Sequence, residues 1–411
     1  MKVLHPLIAL CLLCSLAQAE EKNSLEEYIS ENKRYFYELE EERIEQSSDV
    51  LRDSWISPLM LNYSYGVSEA YNTESTTQKA SISIDQPIFQ SGGIYFGIKF
   101  AEASRLYSQY SADVAKRKLI KDALSLLFQI KQSELKIQKQ QRLIDNARIN
   151  LELKTEQFMS GQLDSSFLDD AIIQKNTATQ ALYDLETAKE RLVSGLRVIS
   201  DVDYQKVSLP TLAWIEQEEF MSNNLSYKLA QSQSERDRYN KNMTLAKYLP
   251  QLSVYGGYNY DKVENLNFGG QTLDGGAASV RETDYYTYGF KASMPISINS
   301  YDEIQSTRLE YLKSKTLEID KKREIEAIYE QVLQNIENFE KKIALSQENE
   351  KLYAKILSDT QELFEAGYKT HYDVDLLENS YKIQGIDLNI FKLDRQLELL
   401  TLYEIYANES E

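Results

Sequence analysis

Residues 248–260 read YLPQLSVYGGYNY. Leu252, Val254, Gly256, Tyr258 and Tyr260 share one parity, and Gln251, Ser253, Gly257 and Asn259 share the other, with Tyr255 the one interruption. A period of two marks a strand with one apolar and one polar face. The patterning on both sides of it is helical, so its partners must come from elsewhere in the chain. Trp55 to Val67, WISPLMLNYSYGV, supplies one, and Pro58 and Pro250 open the two strands 192 residues apart. The chain therefore reads as a duplicated unit of long helices with a strand pair spliced into each copy.

Working outward, the first strand covers 58–67, with Leu59, Leu61, Tyr63, Tyr65 and Val67 on one face. The polar stretch 68–79 (SEAYNTESTTQK) reads as a loop, and a second strand follows over 80–88, where Ile82 and Ile84 alternate with Ser81, Ser83 and Asp85. Pro87 falls near its end, where a missing ladder donor is tolerated. In the second copy the strand over 251–260 leads into a Gly- and Asn-rich loop, 261–284. The returning strand over 285–296 sets Tyr286, Tyr288, Phe290, Ala292 and Met294 on one face, and Pro295 matches Pro87 at a spacing of 208.

Long helices fill the rest. Between Phe96 and Met159 there is no proline and only Gly97 among glycines, with Ile120, Leu124, Leu127, Ile130, Ile144, Ala147, Leu151 and Phe158 mostly three or four apart. About 60 helical residues span about 90 Å, the length of a coiled-coil strut rather than of a globular helix. Ser160-Gly161-Gln162 stops it, and Asp164 caps a helix running back to about Arg197. The same hairpin recurs over Asp302–Glu365, with Gly367 lying 206 residues after Gly161, and the return helix runs to about Asn408. Thr370 with Asp373 three residues later makes a capping box. One or two helices occupy 24–53, one helix occupies 220–247, and 201–219 joins a first repeat (20–200) to a second (220–411).

The chain opens on Lys2, an apolar run from Leu7 to Leu16 and Ala17-Gln18-Ala19, the pattern of a secretory signal peptide over 1–19. Both cysteines, Cys11 and Cys14, lie in that segment, leaving lipidation at Cys14 as a minor alternative and the mature chain without thiols. His371 is then the one histidine. No disulfide framework, Cys/His metal site, nucleophile motif or phosphate loop follows from such a chain, and the expectation is a protein that is not an enzyme and carries no cofactor. A net charge of −18 over 411 residues argues against nucleic acid. Twenty-nine tyrosines suit a boundary between apolar and wet surroundings.

Strands of nine to twelve residues, apolar and Tyr-rich on one side only, have the length of tilted membrane strands. Four strands cannot close a barrel, and an open edge in lipid leaves backbone groups unsatisfied, so copies of the chain must join. Two copies give eight strands with a filled bore; three give twelve and a lumen. The competing readings are a soluble sheet capping a helical bundle and a structural coiled-coil surface protein or adhesin without channel activity.

The order helix, strand, strand, long helix, tip, helix, twice over, resembles the TolC-type outer membrane efflux proteins. Pro250-Gln251-Leu252, Gln86-Pro87-Ile88-Phe89 leading into Ser91-Gly92-Gly93, and the two tips carry the resemblance over essentially the whole mature chain. Gly367-Tyr368-Lys369-Thr370-His371-Tyr372-Asp373-Val374 fits the family's Gly-x-x-Thr/Ser-x-x-Asp-Val turn, whereas Phe167 stands in the first tip where an acid would match Asp373. The resemblance implies a mainly α fold with a small β part: a homotrimer that builds a twelve-stranded barrel in outer-membrane lipid of a Gram-negative bacterium and a periplasmic helical tunnel. It also implies a periplasmic adaptor (membrane fusion) protein at the tips and an inner-membrane pump of the RND, ABC or MFS type. A passive duct of an efflux or type I secretion system follows, with drug, metal cation and protein cargo all left open. Gly161, Gln162, Leu163, Gly367 and Tyr368 are then candidates for adaptor docking. Asp373 and Asp375 are candidates for a carboxylate ring at the aperture, with Lys369 pairing Asp169 or Asp170 of a neighbouring hairpin; helix capping is the alternative role for the two aspartates.

Overall fold

The computed structural model describes residues 25–70, 73–267 and 279–407; the signal-peptide reading of 1–19 falls outside them. A short 3-10 turn at Leu25–Tyr28 precedes helix α1 (Glu31–Arg52), strands β1 (Met60–Ala70) and β2 (Thr73–Phe89), and helices α2 (Gly93–Met159) and α3 (Ser165–Ile199). After an irregular joint come α4 (Gln217–Ser222), α5 (Leu225–Lys247), β3 (Gln251–Asn267), β4 (Ser279–Ser293), α6 (Ser300–Glu365) and α7 (His371–Tyr403). At 67 and 66 residues, α2 and α6 are each about 100 Å long.

The strands form one antiparallel sheet in the order β1-β2-β3-β4. They outrun the expected strands, because residues 68–79 are not a loop: β1 and β2 stay paired from Met60↔Ser83 to Ala70↔Thr73. The stretch is polar on both faces, so the alternation that marks a strand disappears while the ladder hydrogen bonds continue. The same holds for 261–284, where β3 runs on to Asn267 and β4 begins at Ser279. At the other end β4 stops at Ser293 rather than residue 296. Register shifts between Pro87 and Phe89, where the proline lacks a donor.

The rows of the sheet separate its faces. Leu61–Ile82–Tyr258–Tyr286, Ile84–Gly256–Tyr288 and Val254–Phe290 lie on one side, with Tyr286, Tyr288 and Phe290 all about three-quarters exposed. Asn62–Ser81–Asn259–Tyr285, Ser83–Gly257–Thr287 and Ser253–Lys291 lie on the other. Beyond Tyr260 the apolar face turns charged: Lys262 pairs with Glu264 at 2.7 Å and Glu282 at 3.6 Å. The apolar rows from Leu252 to Tyr260 rise about 20 Å along tilted strands, close to the belt of a membrane barrel.

The helices continue the sheet as a wall one layer thick. Nearer the sheet α1 packs on α2, α2 on α5 and α5 on α6; toward the tips α3 packs on α2, α2 on α7 and α7 on α6. The wall thus has four columns: α1 above α3, then α2, then α5 above α7, then α6. The two interrupted columns are joined alike, by Ser30 N–H to the Ile199 carbonyl (3.0 Å) and Leu225 N–H to the Ile405 carbonyl (2.8 Å). The second joint explains two departures from expectation. The helix over 220–247 breaks at Asn223-Asn224, where Asn224 turns N-cap and receives the Tyr227 amide. Helix α7 ends at Tyr403 rather than near Asn408, because Tyr406 and Ala407 pair back on Asn224 and Asn223. Asparagine competes with helix through its own backbone contacts, so the break falls there.

The core sits at the level of these joints. Ile120, Leu124, Leu127 and Phe128 of α2 meet Ile325, Tyr329 and Val332 of α6 and Leu399, Leu400 and Leu402 of α7. The 201–216 segment wraps it, with Leu212 and Ile215 buried and Tyr329 donating to the Ile215 carbonyl at 3.1 Å. No helix among the described residues is long and apolar enough to cross a membrane.

Candidate functional site: the two tips

Both hairpins turn on the same backbone device. Gly161 (φ +73°) and Gly367 (φ +80°) occupy the left-handed region that favours glycine. In the first tip the Gly161 amide donates to the Phe158 carbonyl (2.9 Å) and the Gln162 amide to that of Gln157 (2.8 Å). In the second, Gly367 donates to Phe364 (2.9 Å) and Tyr368 to Leu363 (2.8 Å). These are Schellman closures, satisfying carbonyls that the helix ends leave free. A Cβ built on either glycine meets nothing within 4 Å, so the φ angle and not crowding within the chain requires glycine.

The side chains above the turns differ. In the first tip Leu163 precedes the N-cap Asp164, whose Oδ1 accepts from the Ser166 amide at 3.2 Å; Phe167 stands half exposed. In the second, Thr370 and Asp373 form the full capping box. Asp373 Oδ2 accepts from the Thr370 amide (2.9 Å) and Oγ1 (2.8 Å), and the Asp373 amide donates to Thr370 Oγ1 (3.3 Å). The hydrogen bonds from Thr370, with a lesser contribution from Lys369, hold the Asp373 carboxyl below the usual carboxylate range. Lys369 Nζ lies 3.8 Å from Asp373 Oδ1 of its own turn. Its pairing with Asp169 or Asp170 is not made within the chain; those two and Asp375 are exposed.

A link that the sequence did not disclose joins the tips. Tyr372, buried beside the turn, donates its hydroxyl to Glu156 Oε1 on α2 at 2.7 Å, and His371 stacks against it at 3.9 Å between ring centres. The hydrogen bond to Glu156 raises the Tyr372 phenol above its ordinary value. It is the last of a series of polar contacts along the α2–α7 seam: Lys121 with Glu404 (3.1 Å), Gln132 with Asp394, and Lys139 with Asp387 (2.7 Å). The tips also carry apolar side chains in the open, Met159 and Tyr368 both about four-fifths exposed. Tyr368 was among the expected docking residues; Met159 was hidden by reading as the last apolar position of a helix.

Residues 37–200 match the family described as outer membrane efflux protein. No curated protein sequence matches the chain. Among solved structures it is similar to the CmeC outer membrane channel of Campylobacter jejuni, with 12% identity and a TM-score of 0.69 over 94% of this chain and 86% of that one. It is likewise similar to the outer membrane protein VceC of Vibrio cholerae, with 11% identity and a TM-score of 0.70 over 93% and 95% of the two chains. A third similar structure is the open state of the MtrE outer membrane channel of Neisseria gonorrhoeae, with 12% identity and a TM-score of 0.58 over 92% and 86%. Residues 37–200 therefore have the sequence of an outer membrane efflux protein, and the chain as a whole has the fold of the TolC-type outer membrane channels.

Proposed function

We propose that this chain is the passive outer-membrane duct of a tripartite efflux or type I secretion assembly. Three copies close one wall, with twelve strands in the outer membrane and the helices crossing the periplasm. The observation that carries this reading is the wall itself: one layer thick, four columns wide, and without a neighbour along either lateral edge. Strands β1 and β4 are edge strands. Below them, α6 packs on neither α1 nor α3. Those edges carry apolar side chains in the open, Tyr35 and Phe36 on α1, Ile173 and Tyr183 on α3, and Leu309, Leu345 and Leu352 on α6. Unlike edges joined head to tail generate a closed ring, and the unpaired strand edges can lie in lipid only inside one. Eight strands would fill their own bore and twelve leave a lumen, which favours three copies over two.

In this reading the apolar sheet face meets lipid and the polar face lines the bore. Gly161, Gln162, Leu163, Gly367 and Tyr368 present the tips to a periplasmic adaptor, with Met159 and Phe167 adding apolar contact. The adaptor couples the duct to an inner-membrane pump of the RND, ABC or MFS type, which supplies the energy. Asp373 and Asp375 approach the axis in three copies, with Lys369, Asp169 and Asp170 around them. The assembly is tested by the mass of the detergent-extracted protein. A stable trimer is expected, and a stable monomer or dimer overturns the reading.

A further inference from the structure

Tyr255 breaks the alternation of its strand, and the structure shows what it does there. Asp85, Tyr255 and Gly289 form one row across β2, β3 and β4 on the polar face. A Cβ built on Gly289 would stand 2.7 Å from the Tyr255 hydroxyl, 2.9 Å from Cζ and 3.1 Å from Cε1. The ring therefore lies flat across the sheet, on the space that the missing side chain leaves. Its surroundings on that face are small: Ser83, Gly257 and Thr287 in one adjoining row, Ser253 in the other. Beside it Lys291 Nζ and Asp85 Oδ2 lie 3.7 Å apart and largely offset one another.

We propose that Tyr255 is the clearance-setting residue of the barrel bore: laid over Gly289, it forms a low collar that selects cargo by cross-section rather than by charge. The inference rests on the reading that the polar face lines a water-filled bore. Any side chain at position 289 would lift the ring off the sheet and into the passage. In three copies the three rings would then converge on one axis, so a small change at Gly289 has a large effect on clearance.

The test uses Ser253→Cys, which lies on the helix side of Tyr255 in the same strand and face, in a chain whose only cysteines are Cys11 and Cys14. Intact cells are treated from outside with polyethylene glycol maleimides of increasing size and with N-ethylmaleimide as the small probe. Gly289→Ala should slow labelling by the largest polymer that still reaches Ser253→Cys about tenfold, equivalent to about 1.4 kcal/mol of barrier. Tyr255→Ala should speed it and raise the size limit. Adding Tyr255→Ala to Gly289→Ala should restore the speed, while N-ethylmaleimide reacts alike in every variant and so reports intact strands. A size limit that neither substitution moves, or a Gly289→Ala effect that survives in the Tyr255→Ala background, overturns the collar and leaves the duct standing. If no maleimide of any size reaches Ser253→Cys, the polar face is no bore, and the duct and the collar fall together.

Discussion

The two tips share a backbone and differ in everything attached to it. Each closes on a left-handed glycine with the same pair of hydrogen bonds. Yet the first carries Leu163, Asp164 and Phe167 where the second carries Lys369, Thr370 and Asp373. The turn is thus set by one backbone requirement, and the residues that follow are released to do different work. The second tip has the complete capping box and reaches across to α2 through Tyr372; the corresponding Ser166 of the first gives only its amide to Asp164. If one hairpin holds the aperture and the other supports it, the holding groups are on the second.

The largest effect should come from valine at the glycines. A β-branched residue at either φ costs about 1–3 kcal/mol of local strain, equal at the two tips because both have open space around the Cβ. Gly367→Val should abolish export while leaving trimers in the outer membrane, and Gly161→Val should reduce it less. Export assays paired with gel analysis of the membrane trimer distinguish this from misfolding, which would remove the trimer in both. Equal losses of export at intact trimers would erase the proposed asymmetry.

Next is Tyr372→Phe, which deletes the hydroxyl and leaves Glu156 without its partner. A hydrogen bond to a charged group contributes about 1.5–3 kcal/mol, so single-channel conductance in planar bilayers should rise. Ser166→Ala at the matching place keeps the backbone donor and should change nothing. A conductance for Tyr372→Phe equal to that of the unaltered protein would show that the link is packing and not restraint.

The carboxylates give a third comparison. Millimolar divalent cations on the periplasmic side should block the channel, and Asp373→Ala with Asp375→Ala should weaken that block. Asp375→Ala alone should account for most of it, because Asp373 Oδ2 is already engaged by Thr370. A block of undiminished strength in the double variant would make both residues caps.

Lys369→Ala should matter least. The pair with Asp373 is exposed and contributes about 0–1 kcal/mol, so conductance should rise less than in Tyr372→Phe. Acid should reproduce that change. A carboxyl held below its unfolded value, about 3.9, stabilises the cap above that pH and ceases to as pH falls through the depressed folded value. Gating that is flat between pH 6 and pH 4 and shifts only below about pH 4 fits this sign; a shift near neutrality would point to His371 instead.

Much of this was legible in the residues themselves. Parity located all four strands, because one face of each must be apolar, and both tip glycines were readable because a left-handed stop at a helix end leaves few alternatives. What escaped detection had physical causes. The strand ends at 68–79 are polar on both sides, so pairing continues where hydropathy is silent. The break at Asn224 depends on the chain's last turn folding back onto it. The Tyr372–Glu156 bond spans 216 residues and rests on the register of two helices, which no local pattern records. Tyr255 looked like a flaw in the alternation until Gly289 was seen beneath it.

The four columns of the wall have a mechanical consequence. Helices α2 and α6 run unbroken from sheet to tip, whereas the other two columns are each cut at mid-height and bridged by a few amide hydrogen bonds. Axial force entering at the tips therefore follows two continuous beams per copy, and the cut columns behave as hinges that let the lower half twist without wrenching the strands above. Hydrogen exchange should register the division, with the amides of Ser30 and Leu225 opening before those at the same height in α2 and α6.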